Sequence, residues 1–235
     1  MMKLSILFWS TILVFKVGLT QETKAIIINP AKQNEEELTK RMYLYPTFKP
    51  GQAIYREGNI ARSMLNYNYI TNQIEFIAPK GDTLELIHGD EFSKIVIESD
   101  TFYHYNKCFI QQVSHYDTYN VYIKRSLQNN GSEKKGAYDT YSGTSSISSV
   151  NTIVDNRMNT IKLATDENIK YIFKDYYYLS GKYDQYYPAS KKGAMDLFGK
   201  NDKKLKDFLE KNEINFNKKE DLEKLLEFAH TVLKK

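Results

Sequence analysis

The sequence predicts an α+β chain that is mainly β: an antiparallel meander forming a sandwich, roll or partly open barrel, followed by a small C-terminal helical appendage. Three observations carry this reading. Short runs rich in β-branched and aromatic residues recur between Ala61 and Leu179 at roughly 8 to 12 residue intervals, each bounded by turn residues. From Lys191 onward the apolar period becomes helical. A composition of 41% hydrophobic and 26% charged residues over 235 positions belongs to a folded chain with a packed core, and a single cysteine, Cys108, excludes an internal disulfide.

Residues 1–20 read as a secretory signal peptide. Lys3 supplies the positive start, LSILFWSTILVF at 4–15 the apolar core, and Gly18 and Thr20 the small residues before a cut at Gln21. Lys16 interrupts the apolar run before it reaches the length of a membrane span. The mature chain is therefore expected to be periplasmic, extracellular or envelope-associated, and not an integral membrane protein. Losing Lys3 and Lys16 lowers the formal charge from +4 to +2. That balance gives no basis for binding nucleic acid, which requires a basic stripe.

Residues 21–50 lack a sustained period and read as a partly mobile leader with a short strand at 26–28. The β domain is expected to span 51–189, beginning after Pro50-Gly51. From Ala61 to Tyr69 apolar residues alternate with Arg62, Asn66 and Asn68, and the alternation resumes at Ile74 and Phe76 with Glu75 opposed. This predicts a hairpin of 61–69 with 74–78 around Thr71-Asn72-Gln73, with Asn66, Asn68 and Glu75 facing solvent.

The runs TLELI, SKIVIE, TFYHY, CFIQQVSHY and YNVYIKR then read as successive strands. SLQNNGSEKKGAYDTYSGTSSISSV at 126–150 carries seven Ser and three Gly and reads as a long flexible loop. Strands return at 158–163 and 169–179, separated by a TDEN turn. In the appendage, 190–235, three apolar stripes appear: Ala194, Leu197 and Phe198; Leu205, Phe208 and Leu209; and Leu222, Leu225, Leu226, Ala229 and Leu233. Asn217 and Glu220 are spaced as a capping box for the last helix. Helices this short must pack on one another or on the sheet.

The segments LNYNYITNQIEFIAPKGDTLEL (65–86), GAYDTYSGTSS (136–146) and KKGAMDLFGKNDKKLKDFLEKNEINFNKKEDLEKLLEFA (191–229), behind an export signal, resemble a group of small exported proteins of Bacteroidetes. The I-x-F-x-K-x-E-D-L junction at 214–222 is the most specific part of that resemblance. It implies export and a β-rich body with a Lys-rich helical tail. It brings no catalytic residues.

The sequence offers few groups for catalysis. His104 and Cys108 are four apart with His115 beyond them, but a turn at Asn106-Lys107 would separate the pair, and no third converging ligand is evident. His115 and Asp117 would share a strand face as a base and its orienter, but at a strand end this pattern more often marks a solvated edge. There is no G-x-S-x-G elbow, and Asp82, Asp90, Asp100 and Asp117 sit where turn chemistry accounts for them. No catalytic residue, metal site or cofactor is expected. Asn130-Gly131-Ser132 fits an N-glycosylation sequon, and Asp82-Thr83-Leu84 resembles an O-glycosylation acceptor of the group named above.

Tyrosine is the unusual feature, with 19 in the chain. Tyr176, Tyr177 and Tyr178 are consecutive, and Tyr183, Tyr186 and Tyr187 follow closely. Tyrosine favours strands for its own reasons, yet a run of three places at least one ring on an outer face. These six are the candidate binding residues of an exported, non-enzymatic envelope protein, a structural or binding module whose partner is an envelope glycan or protein. The alternative is a hydrolase of envelope polysaccharide or peptide, whose acids would converge only in the fold.

Overall fold

A computed structural model describes residues 26–28, 40–135, 141–143, 167–183, 185–199 and 202–233. The signal peptide at 1–20, the strand expected at 158–163 and residues 136–140 and 144–150 of the Ser-rich stretch lie outside the described residues.

The described strands join in one antiparallel sheet. They are β1 (Ile26–Ile28), β2 (Lys49–Tyr55), β3 (Ile60–Asn68), β4 (Gln73–Ile77), β5 (Thr83–Glu85), β6 (Phe92–Ile97), β7 (Asp100–Tyr105), β8 (Cys108–Tyr116), β9 (Tyr119–Lys135), β10 (Tyr141–Gly143), β11 (Glu167–Ser180) and β12 (Tyr186–Pro188). Their spatial order is β1-β11-β9-β8-β7-β6-β2-β3-β4-β5, with β10 on β9 and β12 on β11. The sheet curls into a half-barrel, and the chain is mainly antiparallel β with C-terminal helices, as its periodicities predict.

Tight turns set the register. Between β7 and β8 both Asn106 (φ 47°) and Lys107 (φ 60°) are left-handed, the pattern of a two-residue turn whose twist matches its strands. The curl closes where β8 begins. There the β3–β4 turn reaches across to β8 and to the edge of β9 that β8 leaves unpaired. Phe109 N–H donates to the Asn72 carbonyl (2.9 Å), and Leu127 N–H to that of Tyr69 (2.8 Å). Asn72 Nδ2 also donates to the Arg125 carbonyl (3.0 Å) and Ser126 Oγ to Asn72 Oδ1 (2.8 Å).

Two cores share the inner face. Under the curl, Leu65, Tyr67, Ile74, Ile95, Phe102, Phe109 and Leu127 are buried together. Beyond the curl the inner face is covered by α1 (Lys191–Phe198), α2 (Lys203–Lys211) and α3 (Lys219–Phe228), which bring Ala194, Leu205, Leu209, Leu222, Leu225 and Leu226 onto Val121 and Leu179. The helices therefore complete the core of the sheet as well as packing on one another. The expected capping box is not formed: the helix starts one residue late for it, and the N-cap residue is Lys218, without a side-chain cap bond. Asn217 instead donates its N–H to Asn215 Oδ1 (2.9 Å).

Three further expectations change. The leader is not separate from the β domain over its last ten residues, because β2 starts at Lys49 and residues 42–44 continue the ladder on β3 past the end of β2. Leu44 N–H donates to the Tyr67 carbonyl and Tyr69 N–H to that of Met42. Residues 126–135 are not loop but the second half of β9, paired with β11 from Lys174↔Ser126 to Glu167↔Lys134. Partner strand and buried Leu127 override the Ser/Gly composition there. Glu167 and Asn168 of the expected turn likewise belong to β11.

The third change concerns the β3–β4 hairpin. Alternation assigned its faces correctly, since Leu65 and Tyr67 point inward and Asn66, Asn68 and Glu75 outward. That outer face is not solvated: Asn66 is 1% exposed, Asn68 2% and Glu75 7%. The segment at 43–45 covers it. Tyr43 Oη donates to Glu75 Oε2 (2.5 Å) and Asn68 Nδ2 to Glu75 Oε1 (2.8 Å), so both carboxylate oxygens are satisfied. Asn66 Oδ1 and Nδ2 meet the Tyr45 N–H (3.1 Å) and carbonyl (2.8 Å).

Candidate functional site

Strand parity divides five of the six candidate tyrosines between two faces. Tyr176 and Tyr178 project from the outer face of β11, and Tyr186, paired with Ser180, joins them from β12. Tyr177 points inward between the sheet and the helices, and Tyr187, paired with Leu179, shares that side. Tyr183 stands on the β11–β12 turn with 84% of its surface exposed.

The outer face carries more tyrosines than the consecutive run suggested. Tyr103 and Tyr105 from β7 and Tyr122 from β9 meet Tyr178 and Tyr186 in a chain of edge contacts. The ring centroids lie 5.4 Å apart for Tyr103–Tyr122, 5.0 Å for Tyr122–Tyr186, 5.0 Å for Tyr105–Tyr186 and 5.3 Å for Tyr105–Tyr178. Such tilted pairs add to the burial gain because ring edges and faces carry opposite partial charge. Tyr122 is buried at the base of this cluster, and Tyr105, Tyr178 and Tyr186 are half-buried. Tyr176, 38% exposed, extends the face. Lys124 Nζ lies 4.8 Å from its ring centre, and Gln128 Nε2 donates to its hydroxyl (3.1 Å). Tyr103, Tyr105 and Tyr122 were invisible as a group in the sequence because sheet order, not chain order, makes them neighbours.

A concavity lies on the inner face, between the two cores. It is a cavity of about 140 Å³ with Tyr67, Tyr69, Gln111, Ile123, Arg125, Tyr177 and Lys219 in its wall. Arg125 and Asp175, directly opposite on β9 and β11, form a two-bond pair: Nε and Nη2 each lie 2.7 Å from a carboxylate oxygen. That pairing raises the guanidinium pKa further and keeps it charged. Burial raises the Tyr69 hydroxyl pKa, and the adjacent Arg125 opposes the shift. Gln111 Nε2 donates to Asp100 Oδ1 (2.9 Å), and Tyr45 Oη donates to the other oxygen of Asp100. A shallow groove of about 550 Å³ on the outer face of β2 and β3 is lined largely by apolar groups such as Met64, Ile77 and Val96.

The groups considered for catalysis are dispersed. Register puts His104 opposite Phe109 on the inner face and Cys108 opposite Tyr105 on the outer face, so the two cannot share a metal. Burial raises the Cys108 thiol pKa, the wrong direction for a nucleophile. His115 Nδ1 contacts Asn120 Oδ1 (2.7 Å), while Asp117 turns to His230 Nδ1 (3.4 Å). The left-handed backbone of Asp117 (φ 55°) removes it from the strand face that would have aligned it with His115. Among the described residues no group of three or more His, Cys, Asp or Glu converges as for a metal. No helix of the described residues is long and apolar enough to cross a membrane. Asn130 lies on β9 and Thr83 on β5, both exposed.

Glu75 and Glu85 are directly opposite on β4 and β5. Burial first and the charge of Glu75 second raise the Glu85 pKa. The folded protein thus takes up this proton more readily than the unfolded chain. The associated stability is fully present below the unfolded carboxyl pKa, about 4.3, and is lost as pH rises through the folded value. Glu85→Gln is therefore expected to raise the melting temperature near neutrality and to leave it unchanged at about pH 3, where Glu85 is protonated in both states. Thermal melts of both proteins at the two pH values measure this.

Comparison with protein-family models, with curated proteins and with solved structures finds no match for the chain.

Proposed function

We propose that the protein is an exported, non-enzymatic binding module of the cell envelope whose contact surface is the outer tyrosine face, with an envelope glycan as its ligand. The observation that carries this is Tyr176: an exposed ring held in place by Lys124 and Gln128, at the margin of a packed tyrosine cluster. A sugar ring presents an apolar face bordered by hydroxyls, and an aromatic ring with an ammonium over one face and a carboxamide at its hydroxyl complements both parts through its other face and its polar rim. The cluster beneath lowers the entropic cost of binding, because rings already packed edge to face need little further ordering. The apolar core of residues 4–15 supports the export half of the proposal.

The test is retention of the purified mature chain on immobilised envelope glycan. Tyr176→Ala is expected to weaken binding roughly fivefold, the scale of one aromatic contact, with an unchanged melting temperature. Equal retention of the Tyr176→Ala and Tyr183→Ala proteins would overturn the assignment of the surface. Retention only on envelope proteins would replace the glycan by a protein partner. Recovery of uncleaved chain in the cytoplasm after fractionation would overturn export.

A further inference from the structure

The geometry points to a second binding site, for a small organic monocarboxylate, in the inner cavity between the half-barrel and α3. This inference does not depend on the tyrosine surface, which lies on the opposite face of the sheet.

Charge and shape both select the ligand. Two cations, Arg125 and Lys219, stand in the cavity wall, and among the described residues lining it there is no carboxylate; Asp175 pairs with Arg125 from outside the lining. Asp175 engages Arg125 through Nε and Nη2 and the Tyr69 hydroxyl takes a further bond, but a guanidinium carries five N–H donors, so the fork retains donors for another acceptor. Asp175 also fixes the orientation of the guanidinium, so little side-chain freedom remains to be lost on binding. Lys219 makes only a long i,i+4 contact with Glu223 (3.5 Å) at the surface and can turn its ammonium inward at small cost. The remaining wall is apolar or already satisfied. Val113, Ile123 and the ring of Tyr177 offer hydrocarbon, and the Tyr67 hydroxyl is committed to the Phe109 carbonyl (3.1 Å).

A cavity of about 140 Å³ matches the space that a benzene-sized molecule fills. It is too small for a peptide or an oligosaccharide. The carboxylate would meet Arg125 and Lys219 at one end while a short aliphatic or aromatic tail lies against Val113, Ile123 and Tyr177. A neutral amide of the same shape would lose the charge-assisted bonds and keep only the tail.

Butyrate and benzoate are the probes, with butyramide and benzamide as neutral counterparts and inorganic phosphate as an anion without a tail. Calorimetry on the full mature chain is expected to show binding of one or both carboxylates at millimolar concentration, with amides and phosphate at least roughly tenfold weaker. Lys219→Met, at a half-exposed position in the first turn of α3, is expected to weaken carboxylate binding without lowering the melting temperature. Arg125→Gln is expected to weaken it further. If Arg125→Gln destabilises the fold, amide-proton shifts of Tyr69, Ile123 and Tyr177 on titrating the unaltered protein with butyrate locate the site instead. Absence of carboxylate binding, equal binding of the amides, equal binding of phosphate, undiminished binding by Lys219→Met, or shifts confined to the outer tyrosines would each overturn the assignment.

Discussion

Replacing Asn68 by alanine is expected to remove about 3 kcal/mol of folding stability, which is large for an asparagine because three bonds are broken in a closed site. The residue is 2% exposed. Nδ2 donates to Glu75, and Oδ1 accepts from the N–H groups of Ile70 (2.8 Å) and Thr71 (3.3 Å), so one residue both satisfies the buried carboxylate and shapes the β3–β4 turn. Alanine would leave Glu75 with Tyr43 alone and leave the half-buried Ile70 N–H without its acceptor, each at part of the desolvation cost of an unpaired group. The same turn closes the half-barrel onto β8 and β9 through Asn72 and Tyr69, so loosening it should also speed amide exchange at Phe109 and Leu127. Urea unfolding and hydrogen exchange measure the two effects. A loss under about 1 kcal/mol would mean that water enters and replaces the side chain.

Gly193→Ala is expected to be destabilising by about 2 to 3 kcal/mol, although helix propensity alone would favour alanine over glycine by about 1 kcal/mol. The sign is the test. A Cβ at position 193 would lie 2.0 Å from the Pro188 carbonyl oxygen and 3.1 Å from its carbon, atoms of β12 backbone that cannot rotate aside. The neighbouring geometry is equally fixed: Ser190 Oγ accepts the Gly193 N–H (3.0 Å) as the N-cap of α1, and Ala194 is fully buried in the core beneath the helices. Either α1 shifts off the sheet or β12 leaves β11. Chemical denaturation gives the magnitude. Ser190→Ala, which removes only the cap, should cost about 1 kcal/mol and so separates cap loss from steric conflict.

Of the candidate site, the sequence revealed the tyrosines near 176 but not the surface they form. Alternation of strand residues required at least one ring of the run 176–178 to face outward, but the register of β11 decided that these are Tyr176 and Tyr178. Their partners Tyr103, Tyr105 and Tyr122 lie on β7 and β9 and become neighbours only through the order β11-β9-β8-β7. Tyr177, equally prominent in the sequence, faces the helices instead. The inner cavity left no local signal at all. Arg125 and Asp175 are 50 residues apart and face one another only in the β9–β11 register, and Lys219 comes from a helix.

Local chemistry was enough to settle where strands and helices form. Alternation, turn residues and helical stripes act over a few residues, so β3, β4, β6 to β9 and the three helices stand close to where their patterns put them. The same local chemistry failed where a distant segment supplied the environment. Nothing near Asn66, Asn68 and Glu75 reports that residues 43–45 will cover them, and nothing within 126–135 reports a paired strand until β11 lies beside it. Burial of polar groups depends on what packs over a face, and strand formation in a Ser-rich stretch depends on a partner. Both are long-range events that periodicity cannot encode.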